Sequence, residues 1–121
     1  MAETTLDRDP NCLFCKIVAG EIPSDVVRED EALIVFRDIN PRAPIHVLAV
    51  PRRHIPSAHE LTDADGPLLA ALFSAMHAVA DEAGLGRGYR IVTNVGTAAG
   101  QSVDHLHFHL LGGRHMSWPP G

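Results

Sequence analysis

The apolar residues between Thr62 and Gly84 recur at steps of three and four, which is the spacing of one face of an α-helix. Thr62, with acidic residues just after it, is typical of a helix start, and Gly84 is typical of a helix end. The pattern therefore predicts one amphipathic helix of about twenty residues that packs on a sheet. Its apolar stripe consists of Leu68, Leu69, Leu72, Phe73, Met76, Val79 and Ala80.

Short apolar segments on both sides of this helix are typical of strands. An acidic group after the first segment predicts a hairpin, and Asn40, Pro41 and Pro44 predict a turn before the third segment. Strands, one long helix and then more strands indicate an α+β fold with a mainly antiparallel sheet of five strands. The five segments are residues 26–28, 33–36, 46–50, 89–92 and 103–111.

The N-terminal region predicts little regular structure. Residues 1–9 are polar and acidic, and we expect them to form a flexible tail before a single domain over residues 10–121. Asn11 is a candidate cap for a short helix from Cys12 to Ala19. A total of 121 residues is the size of one ordinary domain.

The charge balance argues against two classes of partner. Ten Lys and Arg against fifteen Asp and Glu leave a formal net charge of −5, which disfavours a nucleic-acid polymer and an anionic membrane surface. The N-terminus lacks the basic patch and apolar stretch of a signal peptide, and no apolar run has the length of a membrane span. We therefore expect a soluble, cytoplasmic protein whose two cysteines stay reduced.

Three histidines stand in five residues, at His105, His107 and His109. Because side chains on a strand alternate between its faces, this spacing predicts three imidazoles on one face and Leu106 and Phe108 on the other. Neutral imidazole is a good nucleophile at pH 7. Attack through Nε2 requires the Nδ1 proton to be held, most simply by a nearby backbone carbonyl. The central ring, His107, is the natural nucleophile, and His109 is the natural partner of the phosphoryl oxygens or the leaving group.

A glycine-bearing loop, residues 96–102, leads into the histidine segment. Its backbone N–H groups and the Ser102 hydroxyl are able to cradle a phosphate. Such a loop alone is usually only a turn, and this one lacks the Gly-Lys-Ser/Thr ending of a P-loop. Its position just before the histidines is what makes a phosphate site plausible.

The Gly-Gln-Ser sequence at residues 100–102, followed by the three spaced histidines, resembles the histidine triad (HIT) family of nucleotide hydrolases and transferases. Residues 111–121 are similar to the Hint branch of that family, and the likeness extends back to Cys12. The resemblance implies a HIT-like fold, a purine nucleotide substrate and a homodimer whose C-terminal segment reaches toward the partner's site. Trp118 is then an interface residue; the alternative is a tryptophan packed on its own chain.

The resemblance also implies a role for each candidate site residue. His107 would carry the covalent AMP, Ser102 and His109 would contact the α-phosphate, and His46 would support them from an adjoining strand. Asp38 would accept both ribose hydroxyls, since a carboxylate offers two acceptor oxygens. Apolar side chains would surround the base and two amides would border the phosphate; these are Phe14, Ile17, Ile22, Phe36, Ile39 and Leu48, with Asn94 and Gln101.

Cys12 and Cys15 form a Cys-x-x-Cys motif, and His54 follows a Pro-Arg-Arg sequence. Bacterial members of the family have a similar arrangement, in which these residues and the first triad histidine hold zinc. The resemblance therefore implies a zinc site of Cys12, Cys15, His54 and His105, the Cys₂His₂ set of closed structural sites, and no organic cofactor. An empty thiol pair and a redox motif are alternatives; the redox motif fits worse because no strand precedes it.

The leading hypothesis is a hydrolase of purine nucleoside 5′-monophosphate derivatives, above all adenosine phosphoramidates, with a nucleotidyl-His107 intermediate. Dinucleoside polyphosphates are the substrates of a neighbouring branch of the family. Two alternatives from other classes are a metallohydrolase with zinc on His105 and His107, and a nucleotide-binding protein with vestigial activity. Asp104, where an apolar or aromatic residue is expected, leaves the substrate preference open.

Overall fold

The computed structural model describes residues 8–121, so most of the tail predicted over residues 1–9 lies outside the described part. The elements are α1 (Leu13–Val18), β1 (Val26–Glu29), β2 (Leu33–Arg37), β3 (Ile45–Pro51), α2 (Gly66–Glu82), β4 (Tyr89–Val92) and β5 (Phe108–Gly112). The five strands form one sheet in the order β1-β2-β3-β5-β4, and all neighbouring strands are antiparallel. The α+β class and the five-stranded sheet are confirmed.

The long helix α2 has the predicted apolar stripe but begins later than expected. Thr62 opens a 3-10 turn, Asp63–Asp65, and its backbone N–H donates to the Asp65 carboxylate at 2.9 Å in a capping box. The α-helix follows directly at Gly66. Within residues 8–121, α2 included, no helix is long and apolar enough to cross a membrane.

The two faces of the sheet build two separate apolar clusters, because successive residues of a strand point to opposite sides. On β2 and β3, Leu33, Val35, Val47 and Ala49 pack with the buried face of α2. The alternate residues of the same strands face α1; this second cluster consists of Ile34, Phe36, Leu48 and Val50 with Cys12, Phe14 and Cys15. The candidate chemistry lies on the α1 side.

Two further elements, the short N-terminal helix and the last strand, also differ from the prediction. The short helix runs only over Leu13–Val18, and its cap is Cys12 rather than Asn11, because the Cys15 N–H donates to the Cys12 sulfur at 3.3 Å. The last strand begins at Phe108, so the strand prediction is wrong for residues 103–107. That stretch takes its hydrogen bonds from outside the sheet ladder.

Candidate functional site

The alternation of the histidine segment survives even though His109 alone of the three histidines lies in β5. Leu106, Phe108 and Leu110 are buried with α2, whereas His109 is paired across the sheet with Leu48 of the α1-side cluster. His105 is completely buried and His107 is 5% exposed. The segment is held by contacts from other loops: the Leu106 N–H donates to the Ile55 carbonyl, and the Thr93 hydroxyl donates to the His107 carbonyl at 2.8 Å.

The three rings divide between two sites. The centroids of His107 and His109 are 5.1 Å apart, and Phe14 packs edge-on against His107 at 5.0 Å. His105 turns instead toward the cysteines, with its Nδ1 at 3.3 Å from the Cys12 sulfur. One ring therefore faces the two cysteines, and two face the candidate catalytic site.

The tautomer of His107 follows from one contact. Its Nδ1 lies 2.7 Å from the backbone carbonyl of His105. Because a carbonyl only accepts, Nδ1 carries the proton, and Nε2 of the neutral ring keeps its lone pair. This is the arrangement that nucleophilic attack through Nε2 requires.

The tautomer of His109 is fixed by a relay that starts in the backbone. The Arg42 N–H donates to Nδ1 of His46 at 3.0 Å, so the proton of neutral His46 is on Nε2. That nitrogen lies 3.0 Å from Nδ1 of His109, which must accept, so His109 carries its own proton on Nε2. Asp38 Oδ2, 3.4 Å from the same His46 nitrogen, is a second, more distant acceptor.

Both rings of the relay are neutral at pH 7. Burial is the main cause that lowers the pKa of His109 to about 4, with further lowering by His107 and His46 and opposition from Asp38. Burial also lowers the pKa of His46; Asp38 opposes this, and the Arg42 charge adds to it. Removal from water disfavours the charged imidazolium. The site thus holds hydrogen-bonding rings rather than positive charges.

Cys12, Cys15, His54 and His105 form a candidate metal cluster, in which one donor atom of each residue lies within 4.8 Å of all the others. The Nδ1 atoms of the two histidines are 3.3 Å apart. The Cys15 sulfur lies 3.3 Å from Nδ1 of His54 and 3.5 Å from Nδ1 of His105. On the far side of its ring, His105 donates from Nε2 to the Pro51 carbonyl at 2.8 Å, which leaves Nδ1 free of a proton.

These distances fit a tetrahedral cation. With Zn–N bonds of about 2.0–2.1 Å and Zn–S bonds of about 2.3 Å, a tetrahedron puts two nitrogens about 3.3 Å apart and nitrogen and sulfur about 3.6 Å apart. Burial, as the largest cause, raises the pKa of the Cys15 thiol to about 11, so a thiolate at neutral pH needs a cation beside it. The donor set therefore fits zinc, and it suits a redox thiol poorly.

Asp38, His46 and His109 also have donor atoms close together. The Arg42 N–H occupies the lone pair of His46 Nδ1, so the nitrogen that faces the group is protonated. A protonated ring nitrogen does not bind a metal ion. Hydrogen bonding explains this cluster without a cation.

The loop before the histidines is braced by Gln101. Its side-chain oxygen accepts from the Gly96 N–H at 2.9 Å, and its amide donates to the carbonyls of Pro56 and Val103. Gln101 is buried, whereas the next residue, Ser102, is exposed. The amide thus supports the loop, and the loop presents the Ser102 hydroxyl to solvent. Asn94 is half-buried beside Gly100.

The residues expected around a nucleoside differ in their surroundings. Phe14, Phe36 and Leu48 are buried in the α1-side cluster, with Ile17 packed against it. Ile22 is half-buried, and Ile39 is 91% exposed. Asp38 already accepts from the Asn40 N–H at 2.8 Å through Oδ1.

Sequence reasoning expected a backbone carbonyl at His107 Nδ1 without identifying which one, and it missed the other groups that orient the rings. The Arg42 N–H, the His105 carbonyl and the Pro51 carbonyl are backbone groups, which carry no sequence signature of their own. Thr93 contributes a side-chain hydroxyl, but nothing in the position of Thr93 along the sequence relates it to His107. The two prolines around Arg42 predicted a turn and gave no sign that its N–H would reach a histidine.

Comparison with known proteins gives consistent matches over most of the chain. Residues 11–118 match the family described as "Scavenger mRNA decapping enzyme C-term binding". An uncharacterised HIT-like protein of Synechococcus elongatus is 48% identical over 109 residues, which are 90% of this chain and 96% of that protein.

Solved structures give the same result. The structure of a HIT family hydrolase from Legionella pneumophila Philadelphia 1 has 51% identity and a TM-score of 0.90, covering 92% of this chain and all of that one. A HIT family hydrolase from Clostridium thermocellum Cth-393 has 46% identity and a TM-score of 0.87, covering 90% of this chain and 96% of that one.

Proposed function

The chain belongs to the histidine triad (HIT) family, and from this premise we propose that it hydrolyses purine nucleoside 5′-monophosphate derivatives, above all adenosine phosphoramidates. Similarity to HIT family hydrolases supports the hydrolase class. The observation that carries the mechanism is the 2.7 Å contact between His107 Nδ1 and the His105 carbonyl. It holds the proton of the neutral ring on Nδ1 and keeps the Nε2 lone pair available.

In the first step, the His107 Nε2 lone pair forms a bond to the α-phosphorus, and the bond from phosphorus to the amine breaks. The amine leaves with a proton from solvent, and the nucleotide stays on His107. In the second step, water attacks the phosphorus, its bond to His107 breaks, and the nucleoside monophosphate is released. Dividing the displacement in this way replaces one difficult step by two easier ones.

His109 and Ser102 stabilise the charge on the phosphoryl oxygens. The relay from the Arg42 N–H through His46 leaves a proton on His109 Nε2, so this ring donates a hydrogen bond to a phosphoryl oxygen. Ser102 adds a hydroxyl donor from the exposed end of the loop. Donors that are fixed before the reaction need no reorganisation in the transition state.

The nucleoside would lie along the α1-side cluster. The buried ring of Phe14 contacts His107 and continues into Phe36 at 5.6 Å, which gives an apolar surface for a purine. Asp38, next to the relay, would accept the ribose hydroxyls. Ile39, 91% exposed, is available to cover the base.

The metal in the cluster of Cys12, Cys15, His54 and His105 is proposed to be a structural zinc ion. All four ligands come from the protein, so no position is left for substrate. The zinc ion would tie α1 to the segment that precedes the nucleophile. Among the described residues, the groups close enough to share a cation do not include His107, so the geometry gives no support to a metallohydrolase that uses His105 and His107.

The test is the replacement His107→Ala, assayed with a fluorogenic adenosine phosphoramidate. We expect kcat/KM to fall by at least about a thousandfold, because removal of a covalent nucleophile commonly costs this much or more. His59→Ala, on an exposed turn, is the matched control and should keep full activity. Rapidly quenched wild-type enzyme should carry a nucleotidyl group on the peptide that contains His107.

Wild-type turnover by His107→Ala would overturn the mechanism. Substrate class is tested separately by comparing kcat/KM for the phosphoramidate with the values for diadenosine triphosphate and tetraphosphate. A preference for the polyphosphates would be consistent with the His107 nucleophile but would contradict the proposed amine leaving group.

A further inference from the structure

The hydrogen-bond relay to His109 continues beyond Arg42 into the C-terminal segment. The Arg114 side chain donates from Nε to the Arg42 carbonyl at 2.8 Å. The Arg42 N–H in turn donates to His46, and His46 to His109. A residue 72 positions away in sequence thus holds the loop that orients the candidate site.

The backbone before Arg114 is built for this close approach. Gly113 has φ +92°, a conformation that side chains disfavour, and a Cβ at this position would lie 3.0 Å from Pro44. The glycine lets the segment turn against the loop that contains Arg42. Arg114 also donates from Nη1 to the His115 carbonyl, which restrains its guanidinium.

The two backbone groups of Arg42 flank one Cα atom. Holding its carbonyl restricts the rotations that would move its N–H away from His46. The neighbouring prolines at 41 and 44 have no N–H group, so their backbone nitrogens donate no hydrogen bond that would hold the loop. Asp38 adds one, because its carboxylate accepts from the Asn40 N–H.

We propose that Arg114 is a positioning residue for the proposed hydrolysis: by holding the Arg42 carbonyl, it keeps the Arg42 N–H on His46 and so keeps the His109 proton on Nε2. Without this donor, Nδ1 of His46 is free to take the proton itself, and His46 then presents an acceptor to His109. His109 would then have to carry its proton on Nδ1, which faces His46, and its Nε2 lone pair would face the phosphoryl oxygen. This inference rests on the proposed function only for its effect on rate.

The first arm of the test needs no substrate. The ¹⁵N chemical shifts of the ring nitrogens report tautomers directly and are measured for His46 and His109 in the full-length protein. Wild type should have both protons on Nε2. In Arg114→Ala the His46 nitrogens should move toward the values of a mixed tautomer. Arg114→Lys, which keeps a donor on a long side chain, should restore most of the wild-type pattern.

The second arm measures the reaction. Arg114→Ala should lower kcat by about three- to tenfold with less than a twofold change in KM, since the ribose and base contacts are untouched. Arg87→Ala is the control, because Arg87 lines the same surface depression as Arg114 without a described contact to the Arg42 loop. It should leave the shifts and kcat unchanged.

Wild-type ring shifts in Arg114→Ala overturn the proposal, and so do equal changes in Arg87→Ala. Altered shifts with an unchanged kcat in an active enzyme overturn the positioning role. An enzyme inactive on phosphoramidates, but with the expected shifts in Arg114→Ala, would instead count against the proposed function and leave the relay intact.

Discussion

His105 links the two sites of the protein through three of its atoms. Its Nδ1 faces the cysteines, its Nε2 donates to the Pro51 carbonyl, and its own carbonyl holds the His107 proton. Burial lowers the pKa of His105 to about 4, although the hydrogen bond to Pro51 opposes this. The ring is therefore in the neutral form that binds a metal. Any movement of this residue would disturb both the cluster and the nucleophile.

His109 makes the protein sensitive to acid. Its pKa lies near 4 in the fold, below its ordinary value of 6.5, so in the window between them the unfolded chain binds a proton that the folded ring refuses. The stability associated with neutral His109 is complete above pH 6.5 and is lost as the pH falls toward 4. We expect wild type to lose on the order of 1–2 kcal/mol more than His109→Gln over this window, a value reduced for partial exposure.

Urea unfolding of both proteins at pH 7.5 and 4.5, at equal metal content, measures this difference. The matched metal content matters because protonation of the cluster residues also destabilises the fold. Parallel pH dependence of wild type and His109→Gln would contradict the assignment.

At the scale of single residues, the sequence nominated candidate site residues but did not predict how their rings are oriented. The spacing of the triad singled out His107, and the expectation that a carbonyl would hold its Nδ1 agrees with the structure. That carbonyl belongs to the residue two positions earlier. Its contact with the ring depends on a local backbone conformation that the sequence pattern does not predict. The same is true of the Arg42 N–H.

Among the elements, the histidine segment is the one whose strand prediction was wrong over several residues. Alternation over residues 103–111 predicted one long strand, and it predicted the faces correctly, but the ladder begins only at Phe108. A period of two indicates an extended chain and does not say which partner satisfies its backbone. Here Gln101 and the Ile55 carbonyl supply hydrogen bonds that a neighbouring strand would otherwise supply.

We predict that the candidate metal cluster, which includes Cys12 and Cys15, attaches the short helix α1 to the rest of the fold. The helix has six residues, too few for stability by itself, and its cap, Cys12, is also a cluster residue. We expect purified protein to contain one zinc ion per chain. Cys15→Ser should lose the metal and lower Tm by about 10 °C, which corresponds to about 3 kcal/mol for a domain of this size.

Elemental analysis and thermal unfolding check this prediction, with His59→Ala as a control that should keep both metal and Tm. When the metal is lost, the Phe14 ring should move away from His107. This displacement should change the signals of the His107 ring. Wild type purified without metal, or metal-loaded wild type with the same Tm and His107 signals as Cys15→Ser, would contradict it.

For the whole molecule, the sheet of residues 8–121 ends at β4, which pairs on one side with β5. Tyr89 and Val95 at this edge are 39% and 44% exposed, and Trp118 is 82% exposed. Exposed apolar side chains beside an edge strand favour association with another chain. The family resemblance implies a homodimer, and from these exposed side chains we predict that it forms through this edge.

Light scattering should give twice the chain mass of 13.1 kDa. Tyr89→Glu should shift the mass toward a monomer, because it puts a charge into the interface. Leu13→Glu changes a side chain of similar exposure, 45%, on α1 and should leave the mass unchanged. A monomeric wild type at micromolar concentration, or equal effects of both variants, would contradict the edge interface.

The division of β2 and β3 into two clusters separates the residues that pack against α2 from those that pack on the side of the histidines. Substitutions among Leu33, Val35, Val47 and Ala49 change the packing against α2 and should change the unfolding temperature of the protein. Substitutions among Ile34, Phe36, Leu48 and Val50 reach the layer with the histidines. Substitutions in the α2 layer should thus change thermal stability without contact with the histidines, whereas those in the other layer should affect both stability and the candidate site.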